Sequence, residues 1–206
     1  MKIIIAIDPG HTGGVAIMFN EQVEVRKMPE TMADTLALLQ YAQSKSNAEG
    51  QDIRCFIERV SGFAGEGQPG SAMFNFGCGY GAIQGMLLAM KIPYELVSPS
   101  TWQAGLNLGT RGLQRAAIAK GMNAEQKKAE VARVAKANYS LKKAWKNKLK
   151  SVAQQLYPYI VPTLATSDCL LILEYARRRE GLGLVKKTVV LKEPVAAPSP
   201  QKELSI

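Results

Sequence analysis

The stretch that decides the fold is Lys2-Ile3-Ile4-Ile5-Ala6-Ile7-Asp8-Pro9-Gly10, an apolar run that ends in an acid and a turn. An uninterrupted aliphatic run of this length predicts a buried central strand. Gly13-Gly14 then breaks the chain before a second apolar run over residues 15–19, and Val23-Glu24-Val25 alternates as a more exposed strand does. Strand, glycine turn, strand, turn and strand predict an antiparallel meander.

The rest of the chain alternates between helical and strand-like segments. Thr31 and Asp34 resemble a capping box at the start of a helix that runs to about Ser44. Further strands are expected over residues 53–60 and 94–97, a loop over 61–70, and helices over 71–90, 98–157 and 167–179. This order predicts an α/β domain over residues 1–180 with a mixed five-stranded sheet flanked by helices. The proline-containing stretch 181–206 is expected to be a flexible tail.

Composition narrows the function classes. A chain of 206 residues with 47% hydrophobic residues can build a real core. Cys55, Cys78 and Cys169 lie far apart and His11 is the sole histidine, so neither a disulfide framework nor a zinc site is indicated. With neither a signal-like segment nor an apolar run of membrane-spanning length, we expect a cytoplasmic protein without a membrane partner or an organic cofactor.

The positive charge is concentrated in one segment. The whole chain carries a formal charge of +9, and residues 109–150 contain twelve Lys and Arg against two Glu, a balance of +10. The remainder is therefore close to neutral. A one-signed segment of this kind favours a polyanionic partner.

Three isolated acids, Asp8, Glu58 and Asp168, stand at the edges of apolar segments. Ionised acids among apolar neighbours are costly unless they are paired or bind metal, so three that converge would suit a hard ion such as Mg²⁺. Each also has an ordinary explanation. Asp8 could bond the local turn, Glu58 could face solvent on an edge strand, and Asp168 could interact with a helix dipole.

Taken together, the motifs resemble those of the RuvC-type Holliday junction resolvases, in particular divergent phage-type members. The resemblance is carried, in chain order, by Ile5-Ala6-Ile7-Asp8-Pro9-Gly10, Gly13-Gly14-Val15-Ala16, Ile57-Glu58, Val97-Ser98-Pro99-Ser100-Thr101-Trp102-Gln103, Leu156-Tyr157-Pro158 and Ser167-Asp168-Cys169-Leu170-Leu171. It implies an RNase H-like fold, Mg²⁺-dependent cleavage of four-way and other branched DNA, and a homodimer. It also implies a bacterial or phage-infected host cytoplasm.

The same resemblance implies roles for individual residues. Asp8, Glu58 and Asp168 would be metal ligands and catalytic acids for Mg²⁺, with Mn²⁺ as a substitute. Lys148 or Lys150 would approach the scissile phosphate. The distance from Trp102 to Pro158 is longer than the family needs, so residues 109–141 are interpreted as an added helical element.

One expected acid is absent. The family pattern leads one to expect an acid or a histidine three or four residues before Asp168, where this chain has Ala165 and Leu164. Another side chain could serve, a second metal could bind weakly, or the position could mark a natural or engineered loss of cleavage. Glu174 is a poor substitute, because six residues further along a helix it points away from Asp168.

Two further groups of residues are candidates for DNA contact. The basic run and its neighbours, with Phe63 as an aromatic that could stack on an unpaired base, form the candidate set Phe63, Arg133, Lys136, Lys142, Lys143, Trp145, Lys146, Lys148 and Lys150. The ordinary alternatives are a solvated helix face and a loop aromatic packed on the core. Gly77, Gly81 and Gly85 recur on one helix face and could pack on the sheet or across a dimer axis.

The leading hypothesis is a structure-selective, Mg²⁺-dependent endonuclease that resolves DNA junctions. The missing acid supports an alternative, a junction-binding protein of the same fold with weakened catalysis. A third hypothesis is an actin-like or sugar-kinase ATPase, whose first phosphate loop also runs strand, Asp, glycine turn and strand. That class usually needs two such domains and a second phosphate loop.

Overall fold

A computed structural model of the chain describes residues 2–60 and 70–185, together with the backbone of residues 187–190. The predicted loop that contains Phe63 lies outside the described residues. In chain order the elements are β1 (Lys2–Asp8), β2 (Gly14–Phe19), β3 (Gln22–Lys27), α1 (Met32–Glu49), β4 (Asp52–Glu58), α2 (Gly70–Ala89), β5 (Tyr94–Val97), α3 (Pro99–Gln103), α4 (Ala124–Leu156), α5 (Ser167–Arg179) and β6 (Lys187–Val190).

The sheet is mixed, with β1 near its centre. The strand order is β5-β4-β1-β2-β3-β6. β1, β2 and β3 form the predicted antiparallel meander, whereas β4 pairs parallel to β1 and β5 pairs parallel to β4. The five predicted strands are therefore present, and they form the predicted mixed sheet.

A sixth strand extends the sheet beyond the prediction. The backbone of Lys187–Val190 pairs parallel to β3, with Gln22 opposite Lys187 and Val25 opposite Val190. These four residues lie in the stretch for which a flexible tail was predicted. Their β-branched composition is the signal that favours a strand there, and β3 offers the free edge that it needs.

Helices cover both faces of the sheet, because β1 is apolar on both sides. Ile3, Ile5 and Ile7 pack with α1 and α2 in one core cluster. Ile4 and Ala6 face the opposite layer, where α3, α4 and α5 form the second cluster. Asp8 continues the second series, so its position in the strand directs it toward the α5 side of the sheet.

The added element between α3 and α5 differs from its prediction. A helical insertion was expected over 109–141, but residues 107–123 contain no α-helix and α4 begins at Ala124 as one continuous helix of 33 residues. Gly109, Gly112 and Gly121 adopt positive φ, which interrupts a helix, and the capping box between Asn123 and Gln126 then starts α4. We call residues 107–123 the strap.

The strap lies along the N-terminal half of α4. The Gln114 backbone N–H donates to Asn138 Oδ1 at 2.8 Å, and Asn138 Nδ2 donates back to the Gln114 carbonyl at 2.9 Å. The backbone N–H of Ala117 also donates to Glu130 at 3.3 Å. Because the strap is itself basic, this packing adds positive charge to the surface around α4.

Among the helices of the described residues, none combines the length and the apolar character that a membrane span requires.

Gly14 provides a test of how α5 is seated on the sheet. A Cβ atom at Gly14 would lie 2.7 Å from the Ala165 carbonyl oxygen and 2.8 Å from that of Arg26. Because both contacts are backbone, we expect Gly14→Ala to lower the free energy of unfolding by about 1–3 kcal/mol in urea titrations.

Gly79→Ala is the control, since its Cβ would come no closer than 4.0 Å to the flexible end of Met32. That helix-interior change should stabilise the protein by about 0.5–1 kcal/mol. Equal effects at the two positions would contradict the steric argument.

Candidate functional site

Two of the candidate acids lie at the same edge of the sheet. Asp8 is the last residue of β1 and Glu58 the last residue of β4, and these strands are parallel with Ile7 opposite Ile57. Parallel strands end together, so the two carboxylates are neighbours. The ordinary alternative for Glu58, a solvated position on an edge strand, does not hold, because β4 lies between β1 and β5.

The turn after β1 closes tightly around Asp8. The Gly13 N–H donates to the Gly10 carbonyl at 2.7 Å, and Gly10 N–H makes a longer contact of 3.4 Å to Asp8 Oδ1. A Cβ at Gly13 would lie 2.3 Å from the Asp8 carbonyl oxygen and 2.7 Å from its Cγ. Glycine is therefore required at position 13 for the chain to reverse beside the carboxylate.

The third acid comes from the opposite layer. Asp168 is in the first turn of α5, is 4% exposed, and its Oδ1 accepts a hydrogen bond of 3.1 Å from the Ser167 hydroxyl. Reciprocal hydrogen bonds between Thr163 and Thr166 shape the turn that leads into this helix. Because α5 packs against β1, β2 and β4, its N-terminus carries Asp168 to the edge where Asp8 and Glu58 lie.

A lysine completes the cluster. Lys146 Nζ, from α4, donates to Asp168 Oδ2, and its side chain remains 47% exposed. Burial acts to lower the pKa of Lys146, but the carboxylates of Asp168, Asp8 and Glu58 outweigh it and raise that pKa above its usual value. One ammonium group thus contacts Asp168 directly and lies within electrostatic range of Asp8 and Glu58.

The two strand-end acids are held in an unfavourable environment for charge. Burial, reinforced by the Asp168 carboxylate, raises the pKa of Asp8 to about 6. Burial, with further contributions from Asp8 and Asp168, raises the pKa of Glu58 to about 7. In both cases Lys146 acts in the opposite direction. The cluster therefore has an excess of negative charge that a cation would relieve.

Trp102 adds a donor beside Glu58. Its indole N–H is buried and makes no hydrogen bond of normal geometry, yet it lies near enough to lower the pKa of the Glu58 carboxyl. The indole is 2% exposed and packs in the core cluster on the α5 side. The proximity of this indole to Glu58 was not anticipated from the sequence.

The residue types in this cluster suit a divalent cation, but the positions of their side chains do not yet form a metal-binding site. Hard carboxylate oxygens are the ligands that Mg²⁺ and Mn²⁺ prefer, and an ammonium group among them already serves as a cation. Within residues 2–60 and 70–185, no group of three or more Asp, Glu, His or Cys side chains stands at metal-binding spacing. Asp168 would have to turn from Lys146 to share an ion with the other two.

The two lysines predicted to approach the reacting phosphate lie elsewhere. Lys148 Nζ donates to the carbonyl of Leu108, so that it ties the strap to α4. Lys150 is half-buried, one helical turn beyond Lys146. Lys146, which was predicted for DNA contact alone, is the lysine that reaches the acids. Helical periodicity does not distinguish among lysines 146, 148 and 150 until the packing of α4 on α5 is known.

The remaining DNA-contact candidates divide by exposure. Arg133, Lys136, Lys142 and Lys143 are exposed on α4, and Arg133 forms an ion pair of 2.8 Å with Glu130. Trp145 is 8% exposed and lies in the core beneath the Arg111 guanidinium, 5.3 Å from the ring centroid. Trp145 was predicted to contact DNA, but its ring packs in the core beside α4 and little of it is exposed.

The position of the expected fourth acid is occupied by apolar residues. Leu164 is 47% exposed, and the Ala165 carbonyl packs against Gly14. Glu174 does not replace them, since its carboxylate accepts hydrogen bonds from Arg177 and Arg178 at 2.6–2.8 Å. The helical-wheel argument against Glu174 is confirmed.

Comparisons with known proteins give a distant structural likeness. No protein-family model matches the chain, and no curated protein matches it in sequence. Among solved structures, Thermus thermophilus RuvC aligns with a TM-score of 0.43 and 13% identity, covering 87% of this chain and 97% of that one. RuvC from T. thermophilus in complex with a Holliday junction substrate aligns with a TM-score of 0.45 and 11% identity, covering 87% and 96%.

The raised pKa values of the acids predict how stability depends on pH in the absence of metal. A carboxyl with a raised pKa in the folded state stabilises fully below its unfolded pKa, and this contribution is lost as pH rises through the folded value, here about 6 for Asp8. We therefore expect Asp8→Asn to match the wild type near pH 4 and to exceed its unfolding free energy by about 1–3 kcal/mol at pH 8 in EDTA.

Asp52→Asn is the control for that experiment, because Asp52 is exposed at the opposite end of β4. Its difference from the wild type should not grow between pH 4 and pH 8. Urea titrations at the two pH values measure all three proteins. A wild type that gains stability relative to Asp8→Asn as pH rises would contradict the assignment.

Proposed function

We propose that this chain is a structure-selective endonuclease that hydrolyses phosphodiester bonds in four-way and other branched DNA with Mg²⁺, for which Mn²⁺ can substitute. The observation that carries the proposal is the convergence of Asp8, Glu58 and Asp168, from three separate elements, around one ammonium beside a basic helix. A junction-resolving activity is also what the motif resemblance implies. The chemistry requires neither a histidine nor a serine or cysteine nucleophile.

In this proposal the three carboxylates hold the divalent ion. A divalent ion bound there supplies positive charge to the phosphate oxygens as negative charge builds up on them during hydrolysis. The tight turn at Gly13 fixes Asp8, and α5 fixes the position of Asp168 relative to the sheet. Lys146, rather than Lys148 or Lys150, is the lysine placed to contact the reacting phosphate, because its ammonium already lies among the acids.

The exposed basic face of α4 is proposed to bind the DNA backbone. Lys136, Lys142 and Lys143 are exposed, and α4 is 33 residues long, which corresponds to about 50 Å. Because these charges are of one sign and lead toward Lys146, phosphates bound along the helix would continue into the acid cluster. Binding of this kind weakens steeply with salt.

We also propose that two copies associate through α2, so that two sites can cut two strands. Phe74 and Leu88 are 71% and 65% exposed, and added Cβ atoms at Gly77, Gly81 and Gly85 would meet no described residue within 4 Å. This open space favours contact across a dimer axis over packing on the sheet. A flat apolar helix face suits close approach of a second copy of the same helix.

Cleavage of a synthetic four-way junction tests the proposed nuclease activity. We expect Asp8→Asn, Glu58→Gln and Asp168→Asn each to lower the rate of Mg²⁺-dependent nicking by at least about 100-fold, because each removes a charged oxygen ligand. Junction affinity in a gel-shift assay should remain within about threefold. Asp52→Asn is the control, because it removes an exposed carboxylate at the opposite end of β4 from Glu58, and it should retain nicking.

A second candidate function is junction binding with weakened catalysis. The apolar residues at 164 and 165 and the ion pair between Lys146 and Asp168 favour it. Junction binding without metal-dependent nicking in the wild type, together with nicking in Ala165→Asp, would select this candidate. Absence of both binding and nicking would reject both candidates.

Charge substitutions on the exposed face of α2 test association through this helix. Phe74→Glu combined with Leu88→Glu should convert a dimer into a monomer in sedimentation equilibrium, because it places like charges across the shared face. Leu184→Glu is the matched control, since Leu184 is 75% exposed outside α2. Unchanged association of the α2 double variant would contradict this interface.

A further inference from the structure

Lys146 gives the acid cluster a cation of its own. Its ammonium donates to Asp168 Oδ2 and also interacts favourably with Asp8 and Glu58. The amine reaches this position from α4, whose residues Trp145 and Leu149 are buried in the core on either side of it. The helix is thus anchored, and the lysine is directed into the cluster by the packing of its neighbours.

The charges of the cluster limit how many ions it can hold. Three ionised carboxylates carry three negative charges, which one divalent ion and one ammonium neutralise. A second divalent ion would leave an excess of two positive charges in a partly buried site, an arrangement that the environment disfavours. Two divalent ions would balance four carboxylates with no lysine present.

Among the described residues, the surroundings of the cluster offer no fourth charged ligand. Leu164 and Ala165 are apolar, and the Glu174 carboxylate is paired with Arg177 and Arg178. The buried Cys169 thiol donates to the Thr166 carbonyl at 3.2 Å. Within the described ranges, 2–60 and 70–185, no group of three or more Asp, Glu, His or Cys stands at metal-binding spacing, so no fourth ligand is in place beside the three acids.

We propose that the site holds one divalent ion and that the ammonium of Lys146 takes the place of a second. This inference rests on the proposed nuclease function for its relevance, but it concerns the number of ions bound and can be tested without DNA or cleavage. It also resolves the absence of an acid at position 165, because a site with an internal ammonium does not need a fourth carboxylate.

The test is a titration of the metal-free protein with Mn²⁺. Calorimetry measures the affinity and the number of ions bound, and electron paramagnetic resonance detects whether bound ions are coupled. The wild type should bind one Mn²⁺ per chain and lack the spectrum of a coupled Mn²⁺ pair. Lys146→Met should still bind one ion, but at least about fivefold more tightly, because a neighbouring positive charge has been removed. Lys143→Met is the control, since Lys143 is exposed on the same helix, and it should match the wild type.

The double variant Lys146→Met with Ala165→Asp tests the opposite case, in which the site has a fourth acid and lacks the ammonium. With four acids and no internal ammonium it should bind two Mn²⁺ per chain and show a coupled pair. Circular dichroism and the urea midpoint establish that each variant is folded.

Two ions of comparable affinity in the wild type, or none, would overturn the inference, as would a folded Lys146→Met protein with unchanged affinity. These outcomes are distinct from failure of the nuclease proposal. A chain that binds one ion and leaves junctions intact keeps the inference and loses the activity. A chain that cuts junctions with two bound ions does the reverse.

Discussion

The repulsion among three carboxylates, of which Asp168 is buried and Asp8 and Glu58 are half-buried, is the constraint on which the rest of this structure depends. Asp8 and Glu58 end neighbouring parallel strands, and Asp168 meets them from the helix above. Burial and mutual repulsion raise the pKa values of the two strand-end acids, to about 6 and about 7. A protein rarely keeps such an arrangement for stability, because acids in an apolar setting cost free energy unless a cation offsets them.

The surrounding fold holds the acids together in spite of that cost. Gly13 allows the chain to reverse against the Asp8 carboxyl, and Gly14 allows the Ala165 carbonyl to lie against β2. Neither position has room for a Cβ. Behind them, residues 169–173 of α5 are fully buried against the sheet, which makes the helix a rigid support for Asp168. The close packing of α5 on the sheet therefore holds the three acids together at the sheet edge in spite of their mutual repulsion.

α4 links this cluster to the charged surface of the molecule. Trp145, Leu149 and Ala153 are buried on one side of the helix, and lysines occupy much of the other side. The same packing that buries Trp145 directs Lys146 toward the acids, so the core contact and the ion pair depend on each other. The strap, held by Lys148 and by the bonds between Gln114 and Asn138, extends the surface with further positive charge.

The sequence by itself determined the strands, most of the helices and the three acids. An aliphatic run that ends in Asp8 predicts a central strand, and the boundaries of α5 were predicted as they occur, because its apolar periodicity is strong. It was less informative where local signals are weak. The strap reads as helical because it is rich in Ala, Leu, Lys and Arg, yet glycines at positive φ interrupt it. The strand at Lys187–Val190 is too short to be recognised without the free edge of β3.

Tertiary structure alone decided which lysine belongs to the site. Lysines 146, 148 and 150 are alike in sequence, and the family pattern favoured the latter two. Lys148 points away from Lys146 around α4, whereas Lys150 shares the face of Lys146 and lies one turn further along the axis. The packing of α4 on α5 therefore decides which of them reaches Asp168. The sequence identified the three carboxylates because isolated acids in apolar segments are unusual. The cation that faces them could be found only when two helices distant along the chain had packed together.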